Sequence, residues 1–219
     1  MSSLKNEITL NSGSEFEVES QDLHLESKIR SINRIHSLRL ALTALALGVG
    51  VVVLGTSADS LATYSTTHLP ADFFLQLWPE KFDLGPTTAL VAGSGLIILA
   101  NGVSLFTSKT QSIRQRAGPH AAISLFAPVV GFLAALVAMS LFYAANASTD
   151  VDTLQSWACR WEAVPMMVAP HWGTLCKQSQ AAVALSVVLV PLEAFILGLA
   201  GYQAVLEKQV YSASHEERV

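Results

Sequence analysis

Apolar residues along this chain gather into four long runs, each separated from the next by a more polar segment. The runs cover residues 40–58, 87–106, 121–145 and 181–206. A bilayer core of about 30 Å takes roughly 20 mostly apolar residues in helical form, and each run meets or approaches that length. The competing reading is a soluble all-α protein, but buried soluble helices rarely run past about a dozen apolar residues without a charge. The pattern therefore predicts an all-α membrane protein, a four-transmembrane-helix bundle. Its first span is the weakest, because it fades into Thr56, Ser57 and Ser60. The start of that span is firm, with Arg39 placed to snorkel toward the headgroups.

Composition agrees with this reading. Of 219 residues, 51% are hydrophobic and only 14% charged, with a mean hydropathy of +0.44. Soluble domains carry about 25% charged residues, so charge has been withdrawn from most of the chain. The formal charge of −4 averages over compartments and identifies no partner. Glu7, Glu15, Glu17, Glu19, Asp22 and Glu26 crowd the N-terminal arm, where few large apolar residues oppose them, so residues 1–26 are expected to be disordered. No basic surface suited to nucleic acid is present. The first 36 residues are too polar for a cleavable signal peptide, and the first span is expected to act as the insertion signal. The organisation that follows is an acidic cytosolic arm over 1–36 ending in a basic segment, a membrane domain over 37–206, and a short cytosolic tail over 207–219.

Lysine and arginine orient the bundle, because they collect on the cytoplasmic side. Lys28, Arg30, Arg34 and Arg39 precede the first span, and Lys109, Arg114 and Arg116 fill the loop between the second and third without an opposing acid. Acids outnumber bases in the other two loops, where Lys81 stands against Asp59, Asp72, Glu80 and Asp83, and Arg160 and Lys177 against Asp150, Asp152 and Glu162. The alternation predicts that both termini are cytosolic. Ile29, Ile32 and Ile35 also lie at helical spacing beside the first basic cluster, which suits either an amphipathic helix on anionic lipid or a simple topology signal.

Cysteine usage points the same way. Cys159 and Cys176 are the only two cysteines and fall in the same expected outer loop. Disulfides persist in oxidising compartments, and closing a loop of this size is worth about 3 kcal/mol in the chain-entropy model. Two free thiols are the alternative. A zinc site completed by His171 would need more ligands than the loop supplies. The same loop carries Trp157, Trp161 and Trp172, which either anchor a cap at the bilayer interface or form an outward aromatic recognition surface. In the first outer loop Phe73, Phe74, Leu77, Trp78 and Phe82 are expected to form a short interfacial helix ended by Pro79, and the two aromatic loops can pack together over the bundle. Asn146-Ala147-Ser148 is a glycosylation sequon, but it sits at the membrane end of the third span, where modification is not expected.

Within the spans, Glu193 demands explanation. An acid near the middle of a span costs about 2.5–3.5 kcal/mol on insertion scales, so it should face other helices. Pro191 beside it leaves the carbonyl of Val187 without a helical donor. Asn101, Ser94, Ser140 and Ser186 are the available partners. In one reading Glu193 stays protonated and hydrogen-bonds between helices as structural glue. In the other it binds a proton or cation along a transport path. Glue is favoured, because this one acid stands alone with no basic partner in any span. Ala44 and Gly48, Gly131 and Ala135, and Ala194 and Gly198 show small-xxx-small spacing, with Gly93, Gly95 and Gly102 in the second span, and such surfaces permit close helix packing within or between subunits.

Cytosolic termini, four spans, a short basic inner loop and the paired Cys159 and Cys176 resemble the MARVEL-type tetraspan proteins, in particular uncharacterised fungal members of that broad group, over residues 30–206. No diagnostic motif carries the resemblance. The first outer loop lacks the two cysteines of claudins, and both the CCG signature of tetraspanins and the CxxC of quinone-linked thiol oxidoreductases are missing. The resemblance implies a non-enzymatic organiser of membrane domains, trafficking or cell contact in the plasma membrane or an endomembrane. Its expected partners are the lipid bilayer and other membrane proteins, in a homo- or hetero-oligomer, and no cofactor or metal is expected. A small transporter or channel using Glu193 is the alternative.

Overall fold

The computed structural model describes the backbone of residues 3–68, 77–79, 81–109, 117–147 and 151–216, and the side chains of 30–68, 77–79, 81–108, 125–147 and 151–209. In chain order the elements are α1 (Ser3–Thr67), β1 (Phe82–Asp83), α2 (Gly85–Lys109), α3 (Ala117–Asn146), β2 (Asp152–Thr153), α4 (Leu154–Arg160) and α5 (Trp172–Glu216). Four helical stretches are long and apolar enough to cross a membrane: Arg30–Thr67, Gly85–Ser108, Leu125–Asn146 and Trp172–Gln209. They take in nearly all of the four apolar runs. α1 and α5 each continue about nine residues past those runs, over 59–67 and 172–180, which adds about 13 Å of helix. Helix α1 also takes in residues 3–26, for which composition predicts disorder, and the side chains of that arm lie outside the described residues. The basic segment around Arg34 is helical, as part of α1.

The chain divides into two units, 41–198 and a smaller one made of 1–40 with 199–219. In the larger unit the buried positions follow a rule that the sequence hides. On α1 they are Thr43, Ala46, Gly50, Val53, Ser57 and Ser60; on α2 the series is Thr87, Leu90, Ser94, Ile97, Asn101 and Ser104, with Pro86, Gly93 and Ala100 buried beside it; on α5 over 182–196 it is Ala182, Ser186, Leu189, Glu193 and Ile196. Steps of three and four residues alternate along each series. This 3.5-residue period is the seam of left-handed coiled-coil packing. Ala46, Val53, Ile97, Ala135, Leu189 and Ile196, drawn from all four long helices, form one core.

Small residues set the closest approach of α2 to α3. A Cβ on Gly93 would lie 2.6 Å from the Ala138 Cβ and 3.3 Å from the Ala134 carbonyl oxygen, so only glycine fits at this crossing. Gly48, Gly95, Gly102 and Gly198 face open space, so they serve no close packing within this chain. Outward faces are as apolar as the core: Leu96, Leu99, Val103 and Phe106 on α2, and Leu133, Val137 and Leu141 on α3, are all half or more exposed or close to it. In water such continuous apolar surface would drive association.

In the smaller unit Arg39 is only 3% exposed and lies within electrostatic reach of Glu207, whose carboxylate accepts a 2.8 Å hydrogen bond from Gln203 Nε2. Glu207, in the same unit, supplies a compensating opposite charge to this buried guanidinium.

Candidate functional site

Two polar constellations interrupt the apolar fabric of the larger unit. The first lies on the seam. Glu193 is completely buried, and its Oε1 accepts a 2.6 Å hydrogen bond from Asn101 Nδ2 of α2. Both residues occupy seam positions, which is why residues far apart in sequence meet. The third member is Gly131 of α3: a Cβ built there would stand 2.8 Å from Glu193 Oε2 and 3.0 Å from Cδ. The carboxyl group thus rests in the notch left by an absent side chain. Oε2 is buried and has no hydrogen-bond partner among the described residues.

The serines weighed as partners of Glu193 are used otherwise. Ser94 donates to the Leu90 carbonyl at 2.6 Å and Ser186 to the Val183 carbonyl at 2.8 Å, each within its own helix. Ser140 is exposed. Pro191 also sits on the exposed face of α5 while Glu193 points inward, so the proline does not line the carboxyl's pocket. Gly131 was legible as a small residue at helical spacing. Its partnership with the acid was not, because that depends on the rotation of α3.

The second constellation is a cap built from the segments between α1 and α2 and between α3 and α5. β1 pairs with β2 in parallel, Phe82 opposite Asp152 and Asp83 opposite Thr153, which ties the two segments together. Trp78, Leu154, Ala158, Trp172, Leu175 and Cys176 form its core. The Trp78 ring meets Trp172 edge-on at 5.0 Å, and Tyr64 stacks on Phe82 at 5.0 Å. Trp78 Nε1 donates to Thr67 Oγ1 at 3.1 Å, satisfying its one donor.

Packing between the two aromatic loops is therefore present, and of the expected interfacial helix only its end at Leu77 and Trp78 lies among the described residues. Leu77 and Trp78 form a bend, and Trp78 turns inward at 4% exposure. Phe73 and Phe74 lie outside the described residues. The aromatic surface also contracts. Trp172 is 4% exposed and belongs to the cap core, Trp157 is half-buried, and Trp161 is 42% exposed.

A disulfide joins Cys159 and Cys176, which removes both the free-thiol and the zinc readings. Among the described residues no group of three or more His, Cys, Asp or Glu is placed to hold a metal. Thr153 caps α4 reciprocally with Ser156, its hydroxyl accepting from the Ser156 N–H at 3.2 Å while Ser156 Oγ accepts from the Thr153 N–H at 2.9 Å. Arg160 pairs with Asp152 at 2.8 Å and lies 5.6 Å from the Trp157 ring centroid. Asn146, at the end of α3, donates from Nδ2 to the Phe142 carbonyl at 3.0 Å and accepts from Thr153 Oγ1 at 2.7 Å. The sequon asparagine is thus a structural tie between α3 and the cap.

No protein-family model matches this chain, and neither the curated proteins nor the solved structures yield a match.

Proposed function

We propose that this chain is a four-span integral membrane protein with both termini in the cytosol and the disulfide-closed cap on the opposite side, acting as a non-enzymatic organiser or scaffold of membrane domains. The carrying observation is the Asn101–Glu193 hydrogen bond of 2.6 Å, with the carboxyl seated on Gly131. Three helices close on the one acid of the seam, an arrangement suited to holding helices together rather than to passing a solute. Orientation rests on the lysine and arginine bias, and the Cys159–Cys176 disulfide supports an oxidising compartment for the cap. The partners that fit are lipid and other membrane proteins, met in a homo- or hetero-oligomer. The likeness to MARVEL-type tetraspan proteins rests on architecture alone and supplies the class of role: organisation, trafficking or cell contact in the plasma membrane or an endomembrane.

A small transporter or channel is the second reading, and the observation in its favour is Glu193 Oε2, a buried oxygen with no hydrogen-bond partner among the described residues. Affinity capture of the tagged protein in mild detergent, with imaging of its location, separates the two. A defined set of membrane partners, retained by Glu193→Gln, supports the organiser. A partner-free protein whose pH-dependent ion flux disappears in Glu193→Gln overturns it.

A further inference from the structure

We propose that Met167 is a reversible oxidation site at the tip of the cap, a thioether that takes one oxygen atom from a peroxide-class oxidant while the fold beneath it stays intact. The segment Ala163–Pro170 reads AVPMMVAP and carries no charged side chain. Within it Met167 is 103% exposed, Val168 73% and Val164 44%, and Trp161 just before it is 42% exposed. The Met167 side chain is therefore as uncovered by the rest of the chain as that of an isolated residue.

Its neighbour is the opposite case. Met166 is half-buried and packs against the cluster of Trp78, Trp172 and Cys176, and its carbonyl lies 3.2 Å from His171 Nδ1. Met139, on α3, is half-buried within an apolar span. Methionine oxidation follows access to the sulfur, and the sulfoxide is a polar group in place of an apolar one. At Met166 that change would put a polar S=O against an aromatic core. At Met167 it touches nothing, so the molecule can accept it and lose it again without repacking.

The chemistry needs no protein catalyst. A lone pair on Met167 Sδ attacks one oxygen of hydrogen peroxide and the O–O bond breaks. The sulfur is oxidised by two electrons to the sulfoxide, and the departing hydroxide takes the remaining proton to leave as water. Methionine sulfoxide reductases reverse the change. The outcome is a tip whose most exposed apolar group can be made polar and restored. Encounter with oxidants outside the cytosol rests on the cap's placement in the proposed function, whereas the reactivity of the sulfur does not.

The test uses the full chain reconstituted in lipid nanodiscs, exposed to dilute hydrogen peroxide and followed by mass spectrometry of its peptides. Met167 sulfoxide is expected to form at least about tenfold faster than Met166 or Met139 sulfoxide. Stoichiometric conversion should leave the thermal midpoint unchanged, and Met167→Leu should remove the fast phase alone. Equal rates at Met166 and Met167, or a lowered midpoint on oxidation of Met167 alone, would overturn the proposal. Failure of the capture experiment would leave these rates untouched, so the two tests fail separately.

Discussion

Asn101 and Glu193 stand 92 positions apart in the chain, and their side chains meet at 2.6 Å inside the bundle. Interhelical hydrogen bonds between transmembrane helices are worth less than the desolvation argument suggests, about 0.6 kcal/mol on average and up to about 1.7 kcal/mol. A double-mutant cycle of Asn101→Ala and Glu193→Ala, read by unfolding in bicelles, should give a coupling energy toward the upper part of that range, because Glu193 is completely buried. Glu193→Gln keeps an oxygen to accept from Asn101 Nδ2 and should stay within about 1 kcal/mol of the parent protein. A coupling energy near zero would show that the pair is incidental to stability.

Gly131 offers a sharper test, because the prediction opposes helix propensity. Glycine to alanine in a helix interior normally gains roughly 0.5–1 kcal/mol. At position 131 the new methyl would stand 2.8 Å from Glu193 Oε2. Gly131→Ala should therefore destabilise, by about 1–3 kcal/mol as overpacked cores do. Gly48→Ala and Gly198→Ala, facing open space, are the controls and should be neutral or stabilising. If all three variants behave alike in the same unfolding assay, the notch does not exist as described.

These contrasts mark where the sequence was readable. Four apolar runs and a lone cysteine pair are signals of composition and count, so the spans and the disulfide between Cys159 and Cys176 were visible without coordinates. Helix rotation was not. In a soluble bundle the seam stands out because the other face is polar. Here Leu99 and Val103 on the outside are as apolar as Ile97 on the inside, so hydropathy cannot tell the faces apart. The seam is marked instead by its polar members, since Thr87, Ser94 and Asn101 recur every seven residues on α2. The same blindness hides that Gly48 and Gly198 make no close contact within the chain, and that Trp78 is buried against Tyr64 and Trp172.

Reducing the disulfide should loosen the cap without melting the long helices. Closing a loop of this size contributes about 3 kcal/mol in the chain-entropy model, and Cys176 lies within the cluster containing Trp78 and Trp172. Cys159→Ala with Cys176→Ala should reduce the near-ultraviolet circular dichroism of the tryptophans while leaving the helical far-ultraviolet signal almost unchanged. Equal loss of both signals would mean that the cap holds the bundle together rather than resting on it.

The sequon at Asn146 should remain unmodified even with its loop on the glycosylating side. Glycan transfer requires a free Nδ2, and here that atom donates to the Phe142 carbonyl at 3.0 Å while Oδ1 accepts from Thr153 at 2.7 Å. Thr153 is also the N-cap of α4, so Asn146 reaches the helix that carries Cys159. Asn146→Ala should cost about 0.5–1.5 kcal/mol for a hydrogen bond of this kind, seen as a lower thermal midpoint. Glycosidase treatment of protein expressed in eukaryotic cells should leave its gel mobility unchanged. A mobility shift lost in Asn146→Ala would show that the tie between α3 and the cap opens before the chain finishes folding.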